Sequence, residues 1–68
     1  MIRLSDDMRA WRAAYGLSQQ AAADMAGVSL KAWRNWETER FRPREDNYYA
    51  VRYVISGPPY WWAGAARR

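Results

Sequence analysis

Apolar residues recur along the first part of the chain at helical spacing. Leu4, Met8, Trp11 and Tyr15 follow one another at intervals of four, three and four, which places them on one helical stripe. The pattern predicts a first helix from about Asp6 to Ala14, with Ser5 as its cap and Gly16 at its end. Asp6 and Asp7 then sit in the first turn, where the helix dipole favours negative charge. A shorter helix is predicted from about Gln19 to Met25 behind Ser18, with Ala22, Ala23 and Met25 facing inward. A third follows from about Leu30 to Thr38 behind Ser29. At ~100° per residue, Ala32, Trp33 and Trp36 share one of its faces, while Leu30, Lys31, Arg34 and Asn35 share the other. A fourth is predicted to take Pro43 into its first turn and to reach about Ile55. Its inward stripe is Tyr48, Val51 and Ile55, widened by Tyr49, Tyr53 and Val54. Ser56-Gly57-Pro58-Pro59 stops it. The fold class expected is all-α: a single domain, residues 1–68, of four to five helices, with residues 56–68 as an aromatic C-terminal tail.

The segment from Ser18 to Trp36 is the most informative. Ser18 and Ser29 are both placed to accept a hydrogen bond from a first-turn amide. Gly27, between the two helices, supplies the positive φ that other residues resist. A helix, a short glycine-containing turn and a second helix form the layout of a helix-turn-helix. The split faces of the third helix suit it for recognition: an apolar side anchors it, and a polar side stays readable.

The residues Trp11-Arg12, Tyr15-Gly16-Leu17-Ser18-Gln19, Ala23, Gly27-Val28-Ser29, Trp33, Trp36-Glu37 and Pro43 carry a resemblance over about half the chain. On them the sequence resembles the lambda-repressor-like helix-turn-helix family of Cro and phage repressors. Two departures stand out. Relatives often have glycine where this chain has Glu39, and leucines usual in the second helix are replaced by Ala21, Ala22 and Met25. The resemblance implies that Gln19 hydrogen-bonds a DNA phosphate and that Arg12 pairs with Glu37, with Arg12 also presented to a phosphate. It further implies a homodimer on an inverted-repeat operator in double-stranded DNA. Relatives of this size are often repressors of phage or mobile-element operons, including those that control anti-CRISPR operons or toxin–antitoxin pairs. The alternative is a protein-interaction module, or an antitoxin, that uses the same scaffold to bind a partner protein.

Side-chain chemistry adds candidates. Lysine or arginine can donate to guanine O6 and N7, asparagine can pair with adenine, and an apolar tip can meet a thymine methyl. Leu30, Lys31, Arg34 and Asn35 are therefore the expected base-reading set, against the plainer reading of a solvated helix face. Arg40, Arg42 and Arg44, around Phe41 and Pro43, form the expected phosphate clamp, with Gln19, Arg12 and Ser29 added from the helix ends. Tyr60, Trp61 and Trp62 follow the last clear helix and need cover. They fold back over the core, bury against a second subunit as a dimer interface, or stack on the bases of a single strand.

Composition narrows the field. A chain of 68 residues has room for one small core, and eleven aromatics are a plausible compensation. Net charge is +4, and Lys31 is the only lysine among eleven cations. So much arginine suits phosphate and guanine, or reflects a GC-rich genome. With no cysteine and no histidine, disulfides and the usual zinc sites are excluded. No metal, cofactor or small-molecule ligand is expected. The seven carboxylates are scattered and no nucleophile–base arrangement occurs, so an enzyme is not expected. No apolar run approaches ~20 residues, and the segment from Met1 to Asp7 lacks the apolar core of a signal peptide. The expected location is cytoplasmic.

Overall fold

A computed structural model describes residues 3–58. Among the described residues the chain is all-helical: α1 spans Leu4–Tyr15, α2 Gln19–Ala26, α3 Leu30–Glu37 and α4 Glu45–Ile55. None of these helices is long and apolar enough to cross a membrane. α3 packs against α2 and α1, and α4 packs against α1 and α2. The core they enclose is Met8, Trp11, Leu17, Ala22, Ala23, Trp33, Trp36 and Val51. Trp33 is its largest fully buried side chain.

Local chemistry sets the helix ends. Ser18 Oγ accepts from Ala21 N at 3.0 Å and Ser29 Oγ from Ala32 N at 3.1 Å, so both serines cap as the pattern requires. Gly16 and Gly27 both lie in the left-handed region, at φ 64° and 71°. Each closes its helix with the same pair of bonds. Leu17 N reaches Arg12 O and Gly16 N reaches Ala13 O after α1; Val28 N reaches Ala23 O and Gly27 N reaches Asp24 O after α2.

α3 ends the same way without a glycine. Arg40 N donates to Asn35 O and Glu39 N to Trp36 O, and Glu39 takes the left-handed conformation at φ 62°. This is the position where relatives of the resembling family often have glycine, and the loop geometry glycine would give is present nonetheless. A Cβ in this conformation costs about 1–2 kcal/mol. The compensating ion pair with Arg3 is exposed, and such pairs contribute little. Glu39→Gly is therefore expected to stabilise the protein by about 1 kcal/mol. Urea unfolding should show a higher midpoint at unchanged slope, and a lower midpoint would contradict it.

Three expectations are corrected. Ser5 does not cap α1. The first turn closes two residues earlier, with Asp7 N donating to Arg3 O at 3.1 Å, so Ser5 lies inside the helix and is only 3% exposed. Pro43 is not in the first turn of α4. The backbone at Arg44 is extended, at φ −67° and ψ 164°, so the helix starts at Glu45 and Pro43 belongs to the loop. Tyr49 and Tyr53 do not widen the inward stripe. They are 62% and 82% exposed, because α4 buries Val51 and partly buries Tyr48, Val54 and Ile55 on its other side. The Ser56-Gly57-Pro58 stop follows α4 as expected. Tyr60, Trp61 and Trp62, expected as a dimer interface, lie outside the described residues.

Candidate nucleic-acid interface

The outward face of α3 is a shallow concavity. Leu30, Lys31, Arg34 and Asn35, the four residues expected to read bases, line a single groove of about 420 Å³ together with Thr38 and Arg40. Lys31, Arg34 and Arg40 are exposed, while Leu30 and Asn35 are half-buried. The helix is held from behind by Trp33 and Trp36, so these outward side chains are free of packing duty. Arg40 reaches the groove because the chain reverses at Glu39 and brings Arg40 N back to Asn35 O. Thr38 enters it as well, its hydroxyl donating to Arg34 O at 2.8 Å.

The three loop arginines do not act as one cluster. Arg40 lines the α3 groove. Arg42 lines a separate groove of about 720 Å³ that Leu4, Ser5, Trp36, Phe41 and Tyr48 also border. Arg44 is the extended N-cap residue of α4, without a side-chain cap bond.

Ion pairing sorts the cations further. Setting aside Arg67 and Arg68, which lie beyond residue 58, nine of the eleven cations are described. Arg3, Arg9, Arg12 and Arg52 pair with Glu39, Asp6, Glu37 and Asp7. Lys31, Arg34, Arg40, Arg42 and Arg44 form no ion pair among the described residues. All five lie in one stretch, from α3 to the start of α4. Glu45 and Asp46 come directly after them, in the first turn of α4. Among the described residues, the uncompensated positive charge is thus gathered on the segment that also carries the outward polar face of α3.

Behind that face lies a buried carboxylate. Glu37 is 3% exposed and accepts four hydrogen bonds. Arg12 donates to it through Nε at 2.7 Å and Nη2 at 2.8 Å, Trp33 through Nε1 at 2.7 Å, and Gln19 through Nε2 at 3.0 Å. One side chain therefore joins α1, α2 and α3. Burial alone pushes its carboxyl up. The bonds from Arg12, Gln19 and Trp33, together with the Arg12 charge, outweigh burial and hold it below the usual glutamate range. Its partner responds in kind, with the Arg12 guanidinium raised above its ordinary value by the hydrogen bond to Glu37. Arg9 also donates to the Glu37 backbone carbonyl, at the end of α3 where the helix dipole favours a cation. Glu39, by contrast, is exposed. Arg3 is the main cause holding its carboxyl low, and the Ser5 hydroxyl lies on the same side. Ser5 Oγ is buried and has no hydrogen-bond partner among the described residues.

This network redistributes the expected roles. The Arg12–Glu37 pair is present. The third nitrogen of Arg12, Nη1, donates to Leu17 O at 3.0 Å, so each of its three nitrogens has a partner inside the fold, while two of its five N–H groups remain for a further acceptor. Gln19, the first residue of α2, has its amide oriented by Glu37 and stays half-exposed. Ser29 caps α3, which occupies its oxygen as acceptor but leaves its hydroxyl proton available. Sequence reasoning missed Trp33 and Arg9 as partners of Glu37, and Thr38 as a groove residue. Trp33 and Glu37 are four apart on a helix, which makes them neighbours, and Arg9 and Arg12 are three apart on α1.

Compared with protein-family models, curated proteins and solved structures, the chain matches none.

Proposed function

We propose that the protein binds double-stranded DNA in a sequence-dependent manner, with α2 and α3 acting as a helix-turn-helix and α3 as the helix that enters the major groove. One observation carries this reading. Every described cation without an ion pair lies between Lys31 and Arg44, and three of them line one groove with Asn35. A merely solvated surface has no reason to segregate charge in this way, because elsewhere among the described residues each cation has a carboxylate. In this reading Lys31, Arg34 and Asn35 read base edges, Leu30 meets a thymine methyl, and Arg40 stands beside them. Gln19, Ser29, Arg42 and Arg44 approach the phosphates.

The resemblance to lambda-repressor-like regulators extends the proposal to a transcriptional repressor. Two copies occupy an inverted repeat and exclude polymerase, their recognition helices about 34 Å apart and their half-sites ~10 bp apart. Phage or mobile-element operons are the setting this resemblance favours.

The test is a fluorescence-anisotropy titration with the DNA upstream of the protein's own gene and with a scrambled duplex. Binding to the upstream DNA should be at least ~10³-fold tighter. Each phosphate contact adds about 0.9 to the salt slope, so the five described cations without an ion pair contribute at most about 4.5 per copy. Weak, equal and salt-insensitive binding to both duplexes would sink the proposal and favour a protein partner.

A further inference from the structure

Three arginines from three different parts of the chain converge on one groove. Arg3 precedes α1, Arg42 lies in the loop after α3, and Arg52 is on α4, yet all three line the groove of about 720 Å³. Its aromatic walls are Trp36, Phe41 and Tyr48, with Leu4 and Pro43 beside them. Glu39 is the single carboxylate among its described lining residues. The volume falls within the ~300–1,000 Å³ range of ligand sites, which combine apolar and aromatic walls with a few placed polar groups.

Two of the charged groups are already held in position. Arg52 Nε donates to Tyr48 Oη at 3.2 Å and Arg52 Nη1 donates to Asp7, while the guanidinium carbon stands 5.5 Å from the centre of the Tyr48 ring. Neither bond uses Nη2, so an oriented donor is left over. Arg3 Nη1 donates to both carboxylate oxygens of Glu39 at 3.0 Å, which offsets the repulsion Glu39 would exert on an arriving anion. Arg42 is exposed and brings a third guanidinium. With Asp7 counted beside Arg52, three cations face two carboxylates, and the excess of one positive charge suits a monoanion. A guanidinium fork matches a carboxylate in plane and spacing, and aromatic walls favour a flat ring. Donors fixed in advance also lower the cost of ordering on binding.

We infer that this groove binds a small aromatic monocarboxylate, its ring against Trp36, Phe41 and Tyr48 and its carboxylate at Arg42 and Arg52. The inference does not rest on DNA binding. It departs from the expectation, drawn from sequence, that the protein takes no small-molecule ligand.

The probe is indole-3-acetate, titrated into the isotope-labelled full chain and followed by heteronuclear NMR, with indole and acetate as the ring and the charge alone. The expected result is saturable shifts at the amides of Glu39, Phe41, Arg42 and Tyr48 and at the Trp36 indole N–H, with a Kd on the order of 1 mM or below. Indole and acetate should each bind at least about ten-fold more weakly. Arg42→Ala should weaken indole-3-acetate by about ten-fold or more and leave indole unchanged, which separates loss of the anion contact from loss of the fold. Phe41→Ala should weaken both. Shifts that do not saturate, or that centre on Lys31, Arg34 and Arg40 instead, would overturn the inference. Acetate binding as tightly as indole-3-acetate would overturn it equally, because the aromatic walls would then contribute nothing.

Discussion

Glu37→Ala is expected to unfold most of the protein at room temperature. The substitution removes the acceptor for four hydrogen bonds and leaves the half-buried Arg12 guanidinium beside an apolar core without its counter-charge. Breaking one side of a buried pair costs about 3–5 kcal/mol, and a domain this small rarely has more than about that in reserve. The far-UV circular dichroism of the purified variant should show a large loss of helix, recovered only in part by stabilising salts such as sulfate. A native spectrum with an unfolding midpoint close to the parent's would mean that the network is ornamental.

The same carboxylate sets an acid limit. Its pKa is lower folded than unfolded, so its contribution is fully present above the unfolded value, about 4.3, and is lost as pH falls through the lower folded value. Stability should therefore decline as pH drops below about 4.3, and Glu37→Gln, which cannot ionise, should flatten that decline.

The second large effect is on recognition. Lys31→Ala, Arg34→Ala and Asn35→Ala combined should abolish discrimination between operator and scrambled DNA while leaving the fold intact. Each base contact is worth about 1–3 kcal/mol, so losing three removes a preference on the order of 10²- to 10⁶-fold. Lys31 and Arg34 are exposed, Asn35 is half-buried, and none of the three side chains makes a hydrogen bond within the described fold, so the thermal midpoint should move little. Residual binding should keep most of its salt dependence through Arg40, Arg42 and Arg44. Retained discrimination in the triple variant would show that α3 is not the reading element.

These expectations draw on parts of the molecule that the sequence exposes unequally. α2, α3 and the turn between them are legible because their signals are local. Two serines and a glycine act on amides within a few positions, and both caps and the left-handed turn occur where they were placed. α4 is harder to read. Tyr48, Tyr49 and Tyr53 spread around the helix, and tyrosine, apolar in body and polar at its tip, suits either side of a boundary. Ser5 failed as a cap for a related reason, since a hydroxyl is small enough to be buried within a helix and need not terminate one. In the site, the outward residues of α3 followed from periodicity. The partners of Glu37 beyond Arg12 did not, because Gln19 and Arg9 meet it only once three helices are assembled.

The placement of Glu37 has an evolutionary consequence. The polar bonds that lock α3 onto α1 and α2 all lie behind the helix, whereas Lys31, Arg34 and Asn35 project in front and support nothing else. Substitutions at those three positions can then accumulate without eroding the scaffold. If α3 reads DNA as proposed, a lineage carrying this domain is free to exchange one target site for another in a few steps, and a designer can rewrite the same three positions on an unchanged frame.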